Sequence, residues 1–130
     1  MAAPSLAGRI LLIDDEQIVR ELVVIALSRV GYHVDALASA QEALELLNST
    51  DYHLLLVDIK MPGMDGKQFF RVLTVNAPEL ASRVVFLTGD TVRDDTRVFL
   101  EMARRPMLAK PFDLDELERL VAGQLGKQSA

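Results

Sequence analysis

At 130 residues the chain has room for one compact domain with a single core, and too little for two. Half of it is apolar and a quarter charged, the ordinary mix of a soluble globular protein, with no apolar run long enough to span a bilayer. A net charge of −5 argues against a nucleic-acid-binding surface, and the lack of cysteine excludes disulfides, thiolate metal sites and Cys nucleophiles.

In chain order, Arg9–Asp14 (RILLID) is a continuous apolar run ending in acid, and reads as a strand. Residues Gln17–Val30 recur in apolar side chains at helical spacing and stop at Gly31, a helix-ending signal. His33–Ala36 is a short strand. Ser39 with Glu42 forms a capping box that opens a helix through about Leu47. Leu54–Val57 is a second buried run that ends in acid, at Asp58, and 61–66 (MPGMDG) is a turn-rich loop. A helix follows from Lys67 to about Asn76, with Pro78 beyond it. Val84–Leu87 is the fourth strand, ending at Thr88-Gly89, and Asp90 or Thr91 caps a helix to about Arg104. Met107–Ala109 is the fifth strand. Asp113 with Glu116 offers a capping box for a last helix to about Leu125.

Strand and helix alternating five times predict an α/β domain: a doubly wound parallel sheet with helices on both faces. The strands are unbroken apolar runs because both of their faces are covered. There is no internal repeat or linker, so 1–130 reads as one domain with its core over about 9–125. The tails 1–8 and 126–130, small and polar, are expected to fray. The opening MAAPSLAGR lacks the basic-then-apolar order of a secretory signal, which makes a cytoplasmic location the expectation. On the first helix Val19, Leu22, Val23, Ala26 and Val30 share one broad face, while Val24 falls opposite. Val24 is thus either an ordinary exposed valine or part of a docking surface.

Ligands of open α/β sheets bind at the carboxyl ends of the strands. There the sequence places Asp14 and Asp15, Asp58, Thr88 and Lys110. Any one Asp after a strand has a plain alternative role, capping the next helix. Three together repel one another and call for a cation. An all-oxygen set suits Mg²⁺, with Mn²⁺ an alternative, and disfavours zinc; two His as far apart as His33 and His53 do the same. Asp15 and Asp58 are the expected direct ligands, with the Lys60 backbone carbonyl, and Asp14 acts through water. An aspartate also serves as a nucleophile toward phosphorus. With a metal on one side and Lys110 on the other, Asp58 could accept a phosphoryl group while the Thr88 hydroxyl binds a remaining oxygen. Gly89 leaves room for the group to enter.

The segments LLIDDE (11–16), LLLVDIKMPGMDG (54–66), VVFLTGD (84–90) and LAKPF (108–112) together resemble the receiver domains of bacterial two-component response regulators, over nearly the whole chain. The resemblance implies a five-stranded flavodoxin-like fold of strand order 2-1-3-4-5. It implies Asp58 as the phosphorylation site, Asp14 and Asp15 as the acid pair serving Mg²⁺, Thr88 as the switch hydroxyl and Lys110 as the phosphate-contacting lysine. It further implies a cis Lys110-Pro111 bond and a phosphohistidine donor, on a histidine kinase or phosphotransfer domain. The domain itself would catalyse phosphoryl gain and loss, pass the signal to a protein partner, and exist as a monomer or weak dimer.

Two departures qualify the resemblance. The family's switch aromatic, three residues before the lysine, is here Met107. The expectation is that Thr88 reshapes the side of the helix after strand four without a large ring swing. The sequence EMARRPMLAKPF lacks the usual Gly-Ala pair, and with TGDT at 88–91 resembles receivers attached to hybrid sensor histidine kinases. Two rival functions remain open. A Mg²⁺-dependent phosphatase would need an acid two residues after Asp58, where Lys60 stands; a degenerate receiver would not need the intact Asp14, Asp15, Asp58, Thr88 and Lys110 set.

Overall fold

In the computed structural model, which describes residues 8–89 and 94–129, the apolar runs become five parallel strands. They are β1 (Arg9–Ile13), β2 (His33–Leu37), β3 (Leu54–Asp58), β4 (Val84–Thr88) and β5 (Met107–Ala109), side by side in the order 2-1-3-4-5. The helices are α1 (Gln17–Val30), α2 (Ala40–Leu47), α3 (Gly66–Asn76), the one-turn α4 (Pro78–Ala81), α5 (Asp94–Ala103) and α6 (Leu114–Ser129). None of them is long and apolar enough to cross a membrane.

The alternation of side chains along each strand splits the core into two layers. Leu11, Ile13, Leu55, Val57, Val84 and Phe86 point to one face, where α2, α3 and α5 cover them. Ile10, Leu12, Leu54, Leu56, Val85, Leu87 and Leu108 point to the other, against Val23 and Leu27 of α1 and Leu117 and Val121 of α6. Every residue of β3 and β4 is buried, which explains their unbroken apolar runs. The edge strand β2 instead carries His33 and Asp35; Asp35 accepts a hydrogen bond from the Tyr52 hydroxyl and pairs with Arg9 at 3.5 Å. Charge on an edge discourages another strand from adding to it.

Local chemistry sets the element ends. Gly31 closes α1 at φ 113°, and Ser39 Oγ accepts the Glu42 N–H at 3.2 Å at the start of α2. Asp113 and Glu116 exchange both bonds of the box expected for α6. That helix continues through Ser129 rather than ending near Leu125. Two features escaped the sequence reading. A second full capping box joins Asp65 and Gln68, so α3 starts at Gly66, and the short α4 begins at Pro78, a residue suited to the first turn. The caps expected at Asp90 or Thr91 lie outside the described residues.

Helix α1 departs from the expected pattern. Its buried line is Val23, Ala26 and Leu27, whereas Val24 is half-buried on one flank. The outward stripe is formed by Ile18, Leu22 and Ile25, at 70%, 49% and 51% exposure, and Val30 is exposed as well. The reason is angular: α1 sits on the sheet through Val23 and Leu27, so the row at i, i+4 and i+7 from Ile18 turns to solvent.

Gly66 holds the end of β3 to the start of α3. Its N–H donates to the Ile59 carbonyl at 2.8 Å, and a Cβ there would lie 2.4 Å from the Asp58 carbonyl oxygen and 2.8 Å from Ile59 Cα. No side chain fits without moving backbone. Gly66→Ala is expected to lower stability by about 2 kcal/mol or more, read as a shifted urea midpoint at unchanged m value. An unshifted midpoint would show that the loop yields freely.

Candidate functional site

Strand register assembles the site. Ile13 is level with Val57, Asp58 with Leu87, and Thr88 with Ala109, so Asp14, Asp58, Thr88 and Lys110 fall in one row along the carboxyl edge. Backbone bonds tie the row together: Asp14 N–H to Leu37 O at 3.1 Å, Ile59 N–H to Leu87 O at 3.0 Å, and Lys110 N–H to Thr88 O at 2.8 Å. The Lys110-Pro111 peptide is cis, as the resemblance implied.

Asp14 is fully buried. Its Oδ1 accepts the Glu16 N–H at 2.9 Å and its carbonyl accepts from Arg20 at 2.8 Å, so it shapes the entry to α1 as well as facing the site. Its Oδ2 forms an ion pair with Lys110 Nζ at 2.8 Å. Asp58 is 4% exposed, with Oδ2 3.4 Å from Lys110 Nζ. The Asp58 carboxyl is pushed up to about 7, with burial the largest cause, the Asp14 charge next and that of Asp15 adding to it, against the pull of Lys110. For Lys110 burial alone would favour the neutral amine, but Asp14, Glu16 and Asp58 outweigh it and hold the ammonium above its usual range.

Thr88 is buried at the end of β4, and a Cβ on Gly89 would meet nothing within 4 Å among the described residues. Asp15, expected as a direct metal ligand, is exposed. Among the described residues, the three carboxylates with oxygens within 4.8 Å of one another are Asp14, Asp58 and Glu16. Glu16 was the residue that the sequence reading passed over; the signal was present, as a third consecutive acid where a short cap residue would suit α1 better. Lys60 is exposed. Met107 opens β5 at 39% exposure, while Phe70, Phe86 and Phe99 meet edge to face, 5.2–5.9 Å between centroids, in the layer under α3 and α5. Beside Lys110, a 680 Å³ apolar cavity is lined by Glu16, Val19, Leu22, Gly89, Phe112 and Leu114, among others.

The donor set suits a hard divalent cation. Two buried carboxylates and a third within reach offer only oxygen, and among the described residues a single lysine, Lys110, is paired with all three, leaving negative charge in excess. Fold and site thus define a doubly wound α/β domain with an acidic pocket at its strand ends, the architecture of a phospho-accepting switch.

Known proteins give the same answer. The response regulator receiver domain pattern matches residues 10–122. The transcriptional regulatory protein HprR of Escherichia coli is 36% identical over 122 residues, covering 94% of this chain and 53% of HprR. The response regulator receiver protein CpdR of Brucella abortus is 36% identical over 118 residues, 84% of this chain and 89% of CpdR. Among solved structures, the receiver domain of a signal transduction histidine kinase from Syntrophus aciditrophicus superposes with TM-score 0.84 at 26% identity, over 92% of this chain and 91% of that one. The chain belongs to the response regulator receiver domain family and acts in two-component signalling. It spans about half the length of HprR.

Proposed function

We propose that Asp58 is the phospho-accepting residue, taking a phosphoryl group from a phosphohistidine on a histidine kinase or phosphotransfer domain, with Mg²⁺ or Mn²⁺ bound. The observation that carries this reading is Asp58 itself: a buried carboxylate in line with Asp14, Thr88 and Lys110, whose proton affinity is raised by burial first and by the Asp14 charge next, both of which a metal would offset. Asp15, Asp58 and the Lys60 carbonyl would hold the metal, with Asp14 behind it. The metal supplies charge neutralisation at the phosphoryl oxygens when bound.

An oxygen of Asp58 attacks phosphorus as the bond to the donor imidazole nitrogen breaks, and the aspartyl phosphate forms. Hydrolysis later returns the carboxylate and releases phosphate. Lys110 covers one phosphoryl oxygen and the Thr88 hydroxyl donates to another. The domain works in the cytoplasm and hands the signal to a further protein, as a monomer or weak dimer. The likeness to a receiver from a histidine kinase supports a place in a hybrid kinase.

Incubation with acetyl phosphate and Mg²⁺ is expected to add one phosphoryl mass. No mass gain would favour a phosphorylation-independent module, and steady turnover of phosphomonoesters a phosphatase. The donor is expected to dock on α1, whose Leu22 lines the cavity leading to Lys110 beside the exposed Ile18 and Ile25. Leu22→Asp should slow transfer from a phosphohistidine donor about tenfold or more, the cost of charging an apolar contact, and leave acetyl phosphate labelling unchanged. Equal slowing with both donors would place the effect in the site rather than in docking.

A further inference from the structure

Glu16 stands at the N-cap of α1, where Ser, Thr, Asp or Asn is favoured because a short side chain turns back onto the first free N–H groups. Its side chain makes no such bond. The cap geometry is served instead by Asp14 Oδ1, which accepts the Glu16 N–H at 2.9 Å. The Glu16 carboxylate reaches across to the residue after β5, with Oε1 2.6 Å from Lys110 Nζ. Among the described residues that is the shortest of the lysine's three carboxylate contacts, against 2.8 Å to Asp14 and 3.4 Å to Asp58. A residue that gives up a local capping role for a long-range contact marks a functional constraint.

We propose that Glu16 is a positioning residue that holds Lys110 in the resting state and competes with the phosphoryl group for it. The inference rests on the reading of Asp58 as the acceptor. A phosphoryl group on Asp58 brings oxygens to the ammonium, whose nitrogen already lies within 3.4 Å of carboxylate oxygens of Asp14, Glu16 and Asp58. One contact has to be given up. Asp14 cannot release the lysine to water, because it is fully buried. Glu16 can, because its side chain is 59% exposed and rehydrates where it stands. The lysine therefore has one fixed partner and one releasable partner, and the releasable one sets how readily the phosphorylated arrangement forms. The competing role for Glu16 is metal ligation, since its oxygen lies within 4.8 Å of those of Asp14 and Asp58.

The test uses the full chain with saturating Mg²⁺ and beryllofluoride as the phosphoryl mimic, titrated by calorimetry. Glu16→Gln is expected to bind beryllofluoride about fivefold tighter, the scale of a partly exposed ion pair. Its Mg²⁺ affinity stays within about twofold of the natural protein's. Glu16→Asp, which keeps the charge and withdraws it by one methylene, should show part of the gain. Glu21→Gln, which removes the same charge one turn further along α1, should show none. The gain should survive about 0.5 M salt, which screens the long-range field but not a direct contact. Equal affinities for natural protein and Glu16→Gln, or a gain matched by Glu21→Gln, overturns the proposal. A tenfold loss of Mg²⁺ affinity in Glu16→Gln makes Glu16 a metal ligand and overturns it too. If the natural protein binds no beryllofluoride, the reading of Asp58 fails first, and the inference falls with it.

Discussion

Asp58→Asn is expected to abolish labelling by acetyl phosphate and, in the same preparation, to make the metal-free protein more stable. The first effect follows from removal of the nucleophile: an amide oxygen cannot form the acyl phosphate. A retained phosphoryl mass in the variant would move the acceptor elsewhere.

The second effect follows from charge. The Asp58 carboxyl sits at about 7 in the fold against an ordinary 3.8, with burial the largest cause and Asp14 next. Because the folded value is the higher one, the protein has its full stability from this group below about pH 4. It loses that stability as pH rises through 7, where the folded carboxyl is forced to ionise. A rise of that size corresponds to a penalty on the order of 4 kcal/mol on the plateau above pH 7. Asparagine, of the same shape and without charge, escapes it. With EDTA present, the melting difference between Asp58→Asn and the natural protein should therefore grow from pH 4 to 7 and then level off. Saturating Mg²⁺ should narrow it by stabilising the natural protein. A difference independent of pH would show that Asp58 ionises without strain.

Lys110→Gln should produce the largest loss of stability among single substitutions in the site. The lysine is 15% exposed and lies against Asp14 and Asp58, both buried, as well as Glu16. Taking away one partner of a buried pair leaves the other charge uncompensated, at a cost of about 3–5 kcal/mol. The ammonium is held charged well above neutral pH, so the natural protein keeps this contribution across the working range. In the variant, the repulsion between Asp14 and Asp58 is relieved only by protonation or by a cation. The deficit should accordingly be greatest near pH 8 in EDTA, smaller near pH 5, and partly restored by Mg²⁺. Thermal melts at the two pH values, with and without the metal, check this. A uniform deficit in all conditions would mean that the lysine's methylene stem matters rather than its charge.

The two variants move stability in opposite directions through one cause. Removing an acid relieves the pocket and removing the cation aggravates it, as expected of a site held in excess negative charge for a ligand of the opposite sign. Such a pocket costs stability in the metal-free fold and supplies a prepared place for Mg²⁺ and phosphate.

Much of this was legible in the sequence because the governing rules are local or periodic. Unbroken runs such as LLLVD and VVFLT can be satisfied only where both faces are covered, which makes them central parallel strands. Alternating strand and helix, joined by right-handed crossovers, then brings the carboxyl ends of the strands to one edge, so Asp14, Asp58, Thr88 and Lys110 could be grouped before any coordinate was known. The C-terminal end of α1 and the start of α6 followed from Gly31 and from the Asp113–Glu116 pair.

What the sequence could not supply depends on the angle at which each element meets its neighbours. Helical spacing offers α1 several apolar arcs, and only its seating on the sheet buries Val23 and Leu27 and turns Ile18, Leu22 and Ile25 outward. Likewise three consecutive acids, Asp14, Asp15 and Glu16, are equivalent as letters. The turn from β1 into α1 buries the first beneath Lys110, exposes the second, and swings the third across to the lysine at 2.6 Å. The sequence by itself determined the fold, the family and the group of strand-end residues. Only the tertiary structure decided which of those acids share the cation, because that is set by side-chain direction and distance after the chain has turned.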